Sequence, residues 1–199
     1  MRYDYDYEYD PKYCYAGTHI LKNKLNIMNN EDLEEVERKI CTVIRAAIKN
    51  KPPKGDLDFN YLLKLHKRLF ADIYDWAGKI RTVNISKGNQ FCPTQFIRDY
   101  AEGIFDKLKD ENYLQGCDPG ALSERVAFYL SEINTIHPFR EGNGRAQRLF
   151  ITIMVNRIGY DLLFDKITQE EMIKASAEAF DKEYGLITEL IRRCLVELS

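Results

Sequence analysis

One histidine, one glutamate, two glycines and, after them, two arginines fall within residues 137–148, HPFREGNGRAQR. Gly142 and Gly144 have no β-carbon, so backbone N–H groups can turn inward where a following helix offers unpaired N–H groups and the positive end of its dipole. Such a nest binds anions, and phosphate is the natural one. Asn143 can bond a phosphate oxygen or hold the loop. Arg145 and Arg148 stand about one helical turn apart, on nearly the same side, and suit a polyphosphate. Glu141 is a single carboxylate beside that nest, and magnesium takes one or two protein carboxylates with phosphate oxygens and water. An imidazole such as that of His137 titrates near neutrality and suits a base that removes a proton from an attacking hydroxyl. Clamp, metal carboxylate and base together describe nucleotidyl or phosphoryl transfer to a hydroxyl. The glycines read G-x-G-x-x-Q with no strand before them, so the dinucleotide fingerprint fails, and the Walker pattern is absent.

These residues need two helices joined by a tight loop. Pro138 disfavours helical backbone at His137, so a helix predicted over Ala121–Ile136 stops there. The next begins after the glycines, with Ala146, Leu149, Phe150, Ile153 and Met154 on one face. Upstream, Leu33, Val36, Ile40, Val43, Ala47 and Ile48 space as an amphipathic helix with Asn30 as its N-cap. DFNYLLKLHKRLFADIY forms a second, ending near Ala77 and Gly78, and His66 on it is read as a satisfied core or boundary residue. In KIRTVNISKGNQFCP, Val83 and Ile85 alternate with polar neighbours before Gly88-Asn89, which predicts a β-hairpin turning at Lys87 to Asn89. This is the one convincing strand signal. Thr94 is expected to cap the helix carrying Phe96, Tyr100, Ile104, Phe105 and Leu108. Thr168 and Glu171 form a capping box for a further helix, and GLITELIRRCLVEL reads as a last short one. The fold class is therefore all-α with one inserted hairpin.

The chain has 199 residues, 45% hydrophobic and 30% charged, which suits one globular domain. A net charge of -2 leaves no footprint for nonspecific binding to nucleic acid or membrane. Five scattered cysteines without a C-x-x-C pair argue against a disulfide framework and for a reducing compartment. No apolar run approaches the ~18 residues of a membrane span, and MRYDYDYEYD has no signal-peptide core. A cytoplasmic location is expected. Residues 1–15, where tyrosines alternate with acids, are expected to form a mobile tail, and 16–199 the domain.

HPFREGNGRAQR matches the Fic signature H-x-F-x-[D/E]-G-N-G-R-x-x-R at every specified position. GTHILKNKLNI, LHKRLFADIYDWAGKIR and SEINTIHPFREGNGR also resemble Fic sequence, so the resemblance extends from near residue 13 onward. It implies the Fic helical bundle with a β-hairpin flap, and a protein adenylyltransferase using ATP and Mg2+. His137 would deprotonate a Tyr, Thr or Ser hydroxyl, and Glu141 would hold magnesium. Gly142, Asn143 and Gly144 would form the anion hole, and Arg145 and Arg148 would bind the outer phosphates. Phe139 would anchor the loop. Ile85, Ser86 and Asn89 would belong to the flap that pairs with the target, with Lys87 and Gly88 near ATP. Relatives that transfer the γ-phosphate carry lysine at the place of Gly144, so the intact G-N-G implies AMP transfer.

The resemblance to short bacterial toxins points to the B subunits of DNA gyrase and topoisomerase IV as targets. A host small GTPase, or transfer of another nucleotide or phosphate group, is the alternative. The inhibitory helix of many Fic proteins reads [S/T]-x-x-x-E-[G/N]. Here Glu precedes Gly or Asn at 102, 111 and 141, and the residues four before are Arg98, Lys107 and His137. None fits, so a separate small antitoxin chain is expected to supply that helix.

Overall fold

A computed structural model describes residues 10–198 apart from Gly88, with the side chains of Lys87 and Asn89 also left out. Among the described residues there are seven α-helices: α1 (Asn30–Asn50), α2 (Phe59–Phe70), α3 (Ile97–Asp110), α4 (Pro119–Ile136), α5 (Asn143–Asn156), α6 (Gln169–Phe180) and α7 (Gly185–Cys194). Two small antiparallel pairs join them, β1 (Ser86–Lys87) with β2 (Asn89–Gln90) and β3 (Tyr160–Leu162) with β4 (Leu195–Glu197). The class is all-α, as the periodicities predict.

The centre of the bundle is α4 and α5. Leu122, Val126, Leu130, Ile133 and Ile136 of α4 and Ala146, Phe150, Ile151, Met154 and Val155 of α5 are all at most 1% exposed. Apolar residues on most sides suit helices enclosed on most sides. Helix α5 packs between α2 and α4, and α4 packs on α3, α6 and α7. The motif loop thus joins the two most enclosed helices, which hold its ends rigidly.

The hairpin forms where expected, with Ser86 opposite Gln90 and Lys87 opposite Asn89, but its first strand begins at Ser86, so Val83 and Ile85, which carried the alternation, precede it. The capping box of α6 is complete: the Thr168 hydroxyl accepts from the Glu171 N–H and the Glu171 carboxylate accepts from the Thr168 N–H.

Several expectations are corrected. Asn29, not Asn30, caps α1 by accepting from the Asp32 N–H. The inward face of α1 carries Leu33, Glu37, Cys41 and Ile48, while Val43 is 72% exposed. The stripe is rotated because polar Glu37 faces the interior to meet Tyr74 and Arg145, which a hydrophobic pattern does not register. Helix α2 ends at Phe70 rather than near Ala77, where turns take over. Thr94 makes no side-chain cap; a short 3-10 turn leads into α3 instead. The last segment is helical only to Cys194, and Leu195–Glu197 then pairs with Tyr160–Leu162. Strands of three residues are too short to show a period.

Residues 1–9 of the expected tail lie outside the described residues. The part from residue 10 is not a tail: Asp10, Tyr13 and Cys14 are buried. Asp10 reaches Arg140 at 3.5 Å, both nearly inaccessible, so this segment packs under the motif loop. The tyrosine–acid alternation conceals the change at Asp10 because only its partner, Arg140, distinguishes it.

Candidate active site

His137 is the C-cap of α4. Its N–H still bonds to the Ile133 carbonyl, but its backbone is left-handed, with φ 44. A left-handed non-glycine residue costs about 1–2 kcal/mol, and the following proline removes the helical alternative. The turn delivers the side chain to the wall of a cavity of about 1170 Å³. The imidazole Nδ1 lies 3.2 Å from the Asn134 carbonyl. A carbonyl only accepts, so the proton sits on Nδ1 and the basic nitrogen is Nε2. The ring stacks on Phe91 at 3.7 Å, and Phe91 meets Phe180 of α6 edge-on.

Phe91 follows the hairpin directly. Both ends of the hairpin are fastened to the histidine by Arg81. Its Nε donates to the His137 carbonyl at 2.8 Å, Nη1 to Val83 at 2.7 Å and Nη2 to Cys92 at 2.5 Å. Arg81 is 2% exposed, and burial lowers its pKa to about 10. Three carbonyl acceptors satisfy this charge instead of a carboxylate. Ile85 is buried behind the hairpin. Ser86 is half-buried in β1 and Asn89 begins β2. The side chains of Lys87 and Asn89, and Gly88, fall outside the described residues.

The loop after His137 is braced from inside. The Asn143 side chain accepts from the Phe139 N–H and donates to the Phe139 carbonyl, both at 2.8 Å. Of its two possible roles, the side chain therefore holds the loop, and only its backbone remains for an anion. Phe139 is buried and stacks on His66 at 3.7 Å. His66 accepts from the Gly78 N–H at Nδ1 and donates from Nε2 to the Glu141 carbonyl at 2.9 Å. It is a satisfied core residue, as expected, and it also holds the backbone of the metal-ligand candidate.

Burial lowers the His66 pKa from 6.5 to about 3. The folded state keeps this ring neutral, while the unfolded chain protonates it below about 6.5. The stability it contributes is present above pH 6.5 and is lost as pH falls from there toward 3. Denaturant titrations between pH 7 and 5 are expected to show an added loss of about 1.4 kcal/mol per unit below pH 6. A His66→Gln variant, with nothing to titrate there, lacks that slope.

Glu141 lines the cavity, and its carboxylate accepts from the Gly142 N–H at 2.8 Å. Gly142 is left-handed at φ +80, and a Cβ there would lie 2.3 Å from the buried Phe70 ring. Gly144 meets a different neighbour. A Cβ there would stand 3.1 Å from Arg148 Nη1, so its absence lets that guanidinium lie close over the helix start.

The two motif arginines are not equivalent. Arg145 pairs with Glu37, lies 3.6 Å from Glu141 and sits over the Phe70 ring. Burial raises the Glu37 pKa and nearby Glu141 adds to this, while Arg145 and the Tyr74 hydroxyl oppose it. Arg148 is paired with no carboxylate among the described residues. Burial, with the charges of Arg145 and Arg45 behind it, lowers its pKa to about 10, so it stays cationic at neutral pH. Arg148 is thus an uncommitted cation of the cavity, with Arg45 also on its wall, and Arg145 is largely neutralised by its neighbours.

No cluster of three or more His, Cys, Asp or Glu among the described residues could hold a metal alone. One carboxylate beside a phosphate nest fits magnesium, which takes its other ligands from phosphate and water. No helix among them is long and apolar enough to cross a membrane. The sequence reading did not single out Arg81, Phe91, Asn134, Gln147 or Glu37. Gln147 stands at an unspecified position of the signature, Asn134 lies three residues before it, and Arg81, Phe91 and Glu37 lie far from it in sequence.

The Fic/DOC family matches residues 56–155. Protein adenylyltransferase VbhT of Bartonella schoenbuchensis is 37% identical over 98% of this chain, which spans 41% of that protein. Probable protein adenylyltransferase y4lH of Sinorhizobium fredii is 35% identical, over 92% of this chain and 94% of its own length. The crystal structure of the translocated effector BepC of Bartonella tribocorum, with bound AMPPNP, has a TM-score of 0.89. It is 26% identical and covers 96% of this chain and 99% of its own.

Proposed function

Because this chain belongs to the Fic/DOC family, we propose that it is a protein adenylyltransferase, moving AMP from Mg-ATP to a Tyr, Thr or Ser hydroxyl of a protein. One observation carries the reading. His137, Glu141, Gly144 and Arg148 line a single cavity, so base, metal carboxylate, anion nest and cation face the same bound molecule.

The α5 N-terminus and Arg148 bind the phosphate chain and hold the α-phosphorus toward His137. The target oxygen attacks that phosphorus, and His137 Nε2 takes its proton. The bond from the α-phosphorus to the bridging oxygen breaks, and pyrophosphate leaves. Glu141 would hold magnesium, which when bound neutralises phosphate charge. Arg145 braces Glu141 rather than gripping phosphate alone. The hairpin of Ile85, Ser86 and Asn89 offers a short edge for an extended target segment.

The relatives named adenylyltransferase support AMP transfer. We further read the chain as a growth-blocking toxin acting on the B subunits of gyrase or topoisomerase IV, held in check by a separate antitoxin helix docked beside Arg148. An effector acting on a host GTPase is the second reading, favoured by the similarity to BepC. The test compares ATP labelled on the α- and γ-phosphates, with magnesium and a bacterial lysate. Protein labelled from the α position alone is expected. Label from the γ position alone would overturn AMP transfer.

A further inference from the structure

Three buried side-chain polar atoms among the described residues lack a hydrogen-bond partner: Asn30 Oδ1, Trp76 Nε1 and Gln147 Oε1. Of the three residues, only Gln147 lines the cavity. It is 7% exposed, and its Nε2 donates to Asn134 Oδ1 at 3.4 Å. An enclosed acceptor without a donor is rare and unfavourable. Its natural partner is a donor on the molecule that fills the cavity.

The position narrows that donor. Gln147 lies three residues beyond Gly144 on α5, a rise of about 4.5 Å from the anion nest. Its partner Asn134 is also the residue whose carbonyl receives the His137 Nδ1 proton. Nδ1 and Nε2 lie on different edges of the ring, and an attacking hydroxyl must approach Nε2. The donor for Gln147 is therefore not the target hydroxyl. The group bonded next to the α-phosphate is the ribose, which carries hydroxyl donors, whereas the adenine amine lies farther from the nest.

We propose that Gln147, oriented by Asn134, recognises the nucleotide sugar, its Oε1 accepting a hydrogen bond from a ribose hydroxyl. This rests on the adenylyltransferase reading for the place of the α-phosphate. It makes the site selective for ribonucleotides over the corresponding deoxynucleotides.

Calorimetric titration of the full chain with ATP, 2′-deoxy-ATP and 3′-deoxy-ATP, each with magnesium, tests this without target or turnover. The parent chain is expected to bind ATP about three- to tenfold more tightly than one of the deoxy analogues. In Gln147→Met that preference disappears, and in Gln147→Glu, which keeps an acceptor and can be oriented by a turned Asn134 amide donating from Nδ2, it persists. Equal affinity of the parent chain for all three nucleotides overturns the proposal whatever the variants do. So does a preference that survives in a folded Gln147→Met, or one lost in a folded Gln147→Glu. If Gln147→Met does not fold, the parent ratio and Gln147→Glu decide. Failure of α-label transfer with the ribose preference intact removes the transferase reading and leaves sugar recognition standing. No binding of ATP at all removes both.

Discussion

A His137→Ala variant is expected to transfer AMP about a thousandfold more slowly than the parent chain, with ATP affinity and melting temperature nearly unchanged. The side chain contributes one basic nitrogen, Nε2, at the cavity wall, and the Nδ1 contact to Asn134 fixes its tautomer. The phosphate-binding elements, Arg148 and the start of α5, do not depend on that ring. Alanine at φ 44 bears the same left-handed cost as histidine, and the loss of one stacking contact with Phe91 is small beside the whole core. Steady-state α-label transfer, ATP titration and a thermal melt measured together check this. Activity within tenfold of the parent would mean that another group removes the proton.

Gly142→Ala is expected to fail by a different route. A methyl group there would stand 2.3 Å from Phe70 Cζ, and Phe70 is fully buried against His66 at 4.6 Å and under the Arg145 guanidinium. The ring has no open side to retreat to. The left-handed backbone at φ +80 adds its own cost for any L side chain. Overpacking and backbone strain together give a loss of about 3–5 kcal/mol, or roughly 10 °C in melting temperature for a chain of this size. Gly103→Ala is the matched control, since Gly103 sits inside α3 with open space where its Cβ would go. It should gain up to about 1 kcal/mol. Equal melting of the two variants would contradict the packing seen around Phe70.

The helices and the motif loop were legible because their signals are local. Pro138 and the two glycines bound the loop, and the Thr168–Glu171 box marks its helix within four residues. The hairpin turn was legible from Gly88-Asn89 for the same reason. What escaped the sequence depends on partners distant along the chain. Glu37 looks like one more acid on an acidic helix until Arg145 is set beside it. Arg81 looks like a surface cation and is instead buried against three carbonyls. Asp10 belongs by composition to the tyrosine–acid run and by contact to Arg140. The equivalence expected of Arg145 and Arg148 came from helical spacing and from the signature, neither of which carries information about which neighbours each charge meets.

The three carbonyl bonds of Arg81 give the hairpin and His137 a common datum. A target strand paired with the hairpin edge, as proposed, would thereby be positioned relative to the histidine by residue count, at about 3.4 Å per step. A slip of one residue turns the wrong side chain toward the base. Under the proposed docking on this edge, choice among the hydroxyls of a target would be a matter of ruled distance from the pairing edge, with the chemical identity of the hydroxyl secondary.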